Sequence, residues 1–101
     1  MKYCDLAGIV AIPDQAMWLT LREILPDTIA KAIYGSPPKI IAKFRKNVTP
    51  GGWAYLEDRI KTIGKVSDRK SINARVEIWA WIGILAAEGR IHLSHKSLPN
   101  K

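Results

Sequence analysis

The stretch S-I-N-A-R-V-E-I-W-A-W-I-G-I-L-A-A-E, residues 71–88, constrains the fold of this chain more than any other. Ala74, Ile78, Trp81, Ile82 and Leu85 recur at the three- and four-residue steps that place side chains on one helical stripe. No charge interrupts Ile78 to Ala87, so the predicted helix is apolar nearly all round, a pattern that calls for burial on more than one side. Gly89 supplies the left-handed residue that ends helices. The apolar run is about half the roughly 20 residues that span a bilayer, which predicts a central core helix and no membrane insertion. The remaining chain must wrap around it.

There is little chain to do so. At 101 residues the sequence predicts one domain with a single core. Hydrophobic residues make up 48%, which excludes disorder, and the dominance of Ala, Ile and Leu favours helices. Cys4 is the single cysteine, so neither a disulfide nor a thiolate metal site is expected, as suits a reducing cytoplasm. The N-terminus reaches Asp14 without a small-residue cleavage site, and a secretory signal is not expected.

Punctuation residues divide the chain into about six short helices with no strand. Leu6 to Ile12 is an apolar segment that Asp5 would cap. Pro13 opens a second helix at its first position, with Met17, Trp18, Leu21, Ile24 and Leu25 as its buried stripe. Pro26-Asp27 opens a third, buried through Ile29, Ala30 and Ile33 and stopped by Gly35. Ser36-Pro37-Pro38 caps and starts a fourth, with Ile40, Ile41 and Phe44 inside and Lys39, Lys43, Arg45 and Lys46 outside. Thr49-Pro50 starts a fifth along Trp53, Leu56, Ile60 and Ile63, closed by Gly64. Residues 65–70 read as a polar link and residues 94–101 as a flexible tail beyond a domain of residues 1–93.

Catalytic constellations are lacking. His92 and His95 stand three apart with no cysteine or acid nearby, so solvated histidines are expected in place of a metal site. Glu57 and Asp58 are helix neighbours about 100° apart and cannot oppose one another as acid and base. Gly51-Gly52 is not followed by the Lys-Ser/Thr of a phosphate loop. The sequence predicts a non-enzyme without cofactor.

Two surface features bear on partners. Sixteen Lys and Arg against nine acids give a formal charge of +7, suited to an acidic partner. Many of these residues, among them Arg59, Lys61, Lys65, Arg69 and Lys70, cluster on the fourth and fifth helices and the link. Nucleic acid is the alternative from a different class, but the central helix would present only Asn73 and Arg75 to bases. Second, Val76, Trp79, Ala80, Gly83 and Ala87 form another apolar face on the central helix, away from the Ile78 stripe. Either another part of the domain covers it, or a partner or second copy does.

The order of these stops and starts resembles the C-terminal domain of the flagellar motor switch protein FliG, from about Leu6 to Leu93. An I-V-x-L-D-D-R-like segment is matched by residues 9–15, and an A-L-K-G-like helix end by Ala32-Ile33-Tyr34-Gly35. A K-F-L-x-N-M-S-like turn is matched by residues 43–49, a G-P-V connector by Gly64-Lys65-Val66, and a closing E-G-E-I by Glu88-Gly89-Arg90-Ile91. The resemblance implies an all-α, right-handed, armadillo-like superhelix that serves as a rotor component through protein contacts. It also implies a charged ridge facing the stator, in particular a loop of a MotA-like subunit. Of the ridge, Asp58 matches. Tyr34 stands for a lysine, Gly51 and Ser67 for arginines, and Arg59 for a second aspartate. The hinge segment of the family falls on residues 3–6. The ridge-equivalent surface expected here is thus Asp58, Arg59, Lys61, Lys65 and Arg69. Its implied place is cytoplasmic, peripheral to the inner membrane at the flagellar basal body, with rotor or stator subunits as partners. The second face of the central helix, read from its own residues, predicts a helix contact with a second copy or with an upstream domain of a partner.

Overall fold

The computed structural model describes residues 6–92, and the expectations for Cys4, Asp5, the hinge segment before Leu6, His95 and the tail lie outside them. A short 3-10 helix, Ala7–Ala11, leads into five α-helices: α1 (Asp14–Leu21), α2 (Pro26–Ile33), α3 (Pro38–Arg45), α4 (Pro50–Ile63) and α5 (Asp68–Ala87). No strand occurs among the described residues. The domain is all-helical, in an order consistent with an armadillo-like course.

Helix boundaries follow the punctuation closely, with instructive shifts. Thr49 caps α4, its Oγ1 accepting the Gly52 N–H at 3.0 Å. Gly35, Gly64 and Gly89 all adopt positive φ (72°, 71° and 74°), a region glycine enters without a Cβ penalty. At Gly89 the Arg90 N–H bonds the Leu85 carbonyl at 2.9 Å and the Gly89 N–H bonds that of Ala86 at 3.1 Å, which closes α5 in a Schellman turn. α5 begins at Asp68 and not at Ser71: Ser67 Oγ accepts the Lys70 N–H at 3.3 Å, so the polar link already contains the cap. Pro13 and Pro37 take the N-cap positions themselves, one residue outside the expected place, and Ser36 makes no cap bond.

α5 is central as expected. α2 packs against both α5 and α4, α1 lies against α5, and α3 against the 3-10 helix. Phe44, Ile9, Ile12, Met17, Ile33, Ile78, Ile82 and Leu85 are buried to within 2% of completely, so every element but α4 sends a fully enclosed side chain into one core. α4 adds Trp53 and Leu56.

The α1 stripe is corrected. α1 ends at Leu21, and Leu25 becomes the extended N-cap of α2, where it is 73% exposed. Trp18, expected in the core, is 43% exposed, with the Arg22 guanidinium 4.8 Å from its ring centroid. Met17 and Trp18 are sequence neighbours about 100° apart on the helix, and an eight-residue helix packed on one side buries only one of them.

Lys43 is also corrected, from outer basic residue to buried anchor. Its Nζ donates to Asp14 Oδ1 at 2.8 Å, Lys46 Nζ lies 3.2 Å from Oδ2, and Asn47 Nδ2 donates to Oδ1 at 3.3 Å and to the Lys43 carbonyl at 2.8 Å. The family-like residues Asp14, Lys43 and Asn47 therefore form one polar clasp between α1 and α3. Lys43, followed by Asn47 and Lys46, holds the Asp14 carboxyl well below the usual carboxylate range. A depressed carboxyl stabilises the fold above the unfolded-state pKa, about 3.9, and that contribution is lost as pH falls through the folded value. Asp14→Asn is expected to lower stability at neutral pH and to flatten the loss of stability on acidification. Urea titrations at several pH values check this, and parallel pH profiles for both proteins would exclude the clasp as the acid-sensitive element.

Candidate protein-interaction surface

The expected ridge lies on the outer half of α4, the connector and the first turn of α5. Asp58 is exposed, its carbonyl accepting the Thr62 hydroxyl at 2.9 Å within the helix. Lys61, Lys65 and Arg69 are exposed as well. Arg59 is different. Its Nε and Nη2 donate to the two carboxylate oxygens of Asp27 at 2.7 and 3.0 Å, a bidentate pair that ties α4 to the first turn of α2. Arg59 thereby holds the Asp27 carboxyl below its ordinary value. Arg59 is a positioning residue for the ridge helix as much as a part of its surface.

Beside the ridge runs a groove that sequence reasoning missed. Ile33, Tyr34, Gly35, Ile41, Trp53, Glu57, Ile60 and Lys61 line a mainly apolar cavity of about 380 Å³ between α2, α3 and α4. Arg45 sits 5.9 Å from the Trp53 ring centroid. One signal was available: Tyr34, which stands where the resemblance expects a lysine, is an aromatic at a helix end. Nothing local says that Ile41 and Ile60 meet it there.

The second face of α5 divides. Trp79 is buried at 4% exposure, because the 3-10 helix crosses it, and a Cβ on Gly8 would stand 3.3 Å from the indole ring. This corrects Trp79 as a partner-facing residue. Val76, Ala80, Gly83 and Ala87 remain exposed.

Arg75 bears on the nucleic-acid alternative. Its Nε donates to the Ala32 carbonyl at 3.0 Å and its Nη2 to the Tyr34 carbonyl at 3.4 Å, satisfying carbonyls at the C-terminal end of α2. One of the two expected base readers is thus committed to the fold. No group of three His, Cys, Asp or Glu residues is placed to hold a metal among the described residues, and no helix among them is long and apolar enough to cross a membrane.

These observations define the class: a small all-helical domain whose notable features are surfaces, a charged ridge, an apolar groove and an apolar helix face. The chain belongs to the FliG C-terminal domain family, whose model matches residues 2–93, nearly the whole sequence. A comparison with curated proteins finds no match. Membership places the chain in a structural family of the flagellar motor switch, which works through protein contacts and is not an enzyme family.

Proposed function

We propose that this domain is a non-catalytic rotor contact of the flagellar motor whose α4 ridge meets an acidic segment of a stator subunit. The observation that carries the reading is the exposure of Asp58 and Lys61 on α4, Lys65 on the connector and Arg69 on the first turn of α5, while the Arg59–Asp27 pair fixes α4 against α2. At the family's ridge positions three cations are absent, at Tyr34, Gly51 and Ser67, while the exposed Lys61, Lys65 and Arg69 supply positive charge beside Asp58, which suits an acidic partner loop. Its proposed place is the cytoplasmic face of the basal body, peripheral to the inner membrane.

Because Arg59 also holds α2, reversing its charge would mix loss of binding with loosening of the domain. The cleaner variant is Lys61→Glu, Lys65→Glu and Arg69→Glu together. Single exposed charges contribute about 0–1 kcal/mol each, so single changes should weaken binding a few-fold at most and the triple change by roughly tenfold or more, with the effect shrinking at high salt. Binding to the cytoplasmic loop of the stator subunit, measured by titration calorimetry at two salt concentrations, is the test. A triple variant with wild-type circular dichroism and unchanged affinity and motility would reject the ridge as the contact.

A further inference from the structure

α5 carries on its outer side an exposed, mainly apolar surface, interrupted by Asn73 and, in the first turn, by Arg69. At about 100° per residue, Ile72, Val76, Ala80, Gly83, Ile84 and Ala87 fall within an arc of roughly 120°. Ile72, Val76 and Ile84 are 36%, 39% and 46% exposed and stand together on one helix face. A Cβ built on Gly83 meets nothing within 4 Å, so the middle of this surface is an open groove. Trp79 bounds it on one side, already covered by the 3-10 helix.

The distribution of side chains along this face is directional. The bulky β-branched residues Ile72 and Val76 stand in the N-terminal half, and the small Gly83 and Ala87 in the C-terminal half, with Ala80 between. Charge is directional as well. Lys70 and Glu88 are about five helical turns apart at the same angle, so they flank the face at opposite ends on one side. Both are exposed, Glu88 making only a loose contact of 3.7 Å with Arg90.

We propose that this face is a self-association surface on which a second copy of the chain packs α5 against α5, antiparallel, about a two-fold axis near Ala80. In that register Ile72 lies over Ala87 of the second copy and Val76 over its Gly83, each bulky side chain entering the groove left by a small one. Flank residues on the same side meet across an antiparallel pair, so Lys70 comes opposite Glu88 at both ends. A parallel pair would set Ile72 on Ile72 and Gly83 on Gly83, leaving a void there, and would carry the Lys70 and Glu88 side chains of the two copies to opposite flanks with no pairing between them. The interface is isologous, as a two-fold contact requires. One helix pair of this length stays below the roughly 1,200 Å² of a standard interface, so the dimer is weak and fills only at high concentration. The contact meets the ridge at one residue only, Arg69 in the first turn of α5, so Lys61→Glu with Lys65→Glu separates a failure of the ridge from a failure of this face.

Sedimentation equilibrium of the full chain, taken up to about 1 mM, should show a monomer–dimer equilibrium. Gly83→Glu should raise the dissociation constant at least tenfold with circular dichroism unchanged. Lys70→Glu and Glu88→Lys should each raise it roughly fivefold to tenfold, and the two changes combined should restore it. In a Cys4→Ser background, a mixture of Ile72→Cys and Ala87→Cys proteins should cross-link between the two variants in preference to within either. A wild type that stays monomeric over this range overturns the proposal. Ile72→Cys cross-linking chiefly to itself, or a charge swap that fails to restore association, overturns the antiparallel register. Should Gly83→Glu unfold, the charge swap still decides, because both of its positions are exposed.

Discussion

Phe44→Ala is expected to destabilise the domain by about 3–5 kcal/mol, and Leu85→Ala by about 2–5 kcal/mol. Both side chains are completely enclosed, Phe44 from α3 and Leu85 from the last turns of α5. Removing either leaves a cavity whose lining loses its contacts, and short helices held by single anchors have little else to close on. For Phe44 the loss also reaches α3 as a whole, since this eight-residue helix contacts the rest of the domain mainly through the 3-10 helix and the Asp14 clasp. Against a total stability of about 5–15 kcal/mol for a domain of this kind, such losses are a large share. Urea denaturation followed by circular dichroism measures both. Leu25→Ala is the control: at 73% exposure it should stay within about 0.5 kcal/mol of wild type. A Leu25 loss comparable to that of Phe44 would restore the sequence stripe and overturn the packing described here.

The turns were the most legible part of this fold, for a physical reason. A helix stop at Gly35, Gly64 or Gly89 depends on one residue and a backbone angle that other residues adopt at a penalty, so the signal is local and complete in the sequence. The Thr49 cap is equally local: its acceptor and the Gly52 N–H are three residues apart. Stripes on the longer helices were legible as well, because Trp53 and Leu56 on α4, and Ala74, Ile78, Ile82 and Leu85 on α5, repeat often enough to define a face.

What failed was everything that depends on which elements meet. Leu25 continued the spacing of Met17 and Leu21, but the chain leaves the helix after Leu21, and periodicity has no meaning across that break. Lys43 reads as one more cation on a basic helix until Asp14, 29 residues away, is found beside it. Arg59 reads as a ridge charge until Asp27, 32 residues earlier, is found holding it in two hydrogen bonds. Each of these contacts lies between helices, and no spacing within one helix reports it. The same limit applies to the interaction surface: Asp58, Lys61, Lys65 and Arg69 were legible because they are outside, whereas the groove at Tyr34 joins residues of three helices.

Trp79 and Gly83 make the sharpest contrast on α5, because they are four residues apart and were read as one face. Trp79→Ala is expected to cost about 3–5 kcal/mol, as for other large buried aromatics. Its ring is enclosed by the 3-10 helix, and Gly8 is the residue that lets the backbone approach it so closely. Gly83→Glu is expected to leave the fold unharmed and even to stabilise it slightly. The added side chain enters open space, and glycine in a helix interior is roughly 0.5–1 kcal/mol less favourable than a good helix former. The two variants therefore move stability in opposite directions, and self-association should follow Gly83. Urea denaturation of both at low protein concentration, where association does not contribute, measures the first difference. If Trp79→Ala costs less than about 0.5 kcal/mol, the 3-10 helix does not cover the indole and the whole second face of α5, Trp79 included, returns to the surface. If Gly83→Glu instead destabilises by several kcal/mol, the groove beside it is occupied by the domain itself, and no second copy can use it.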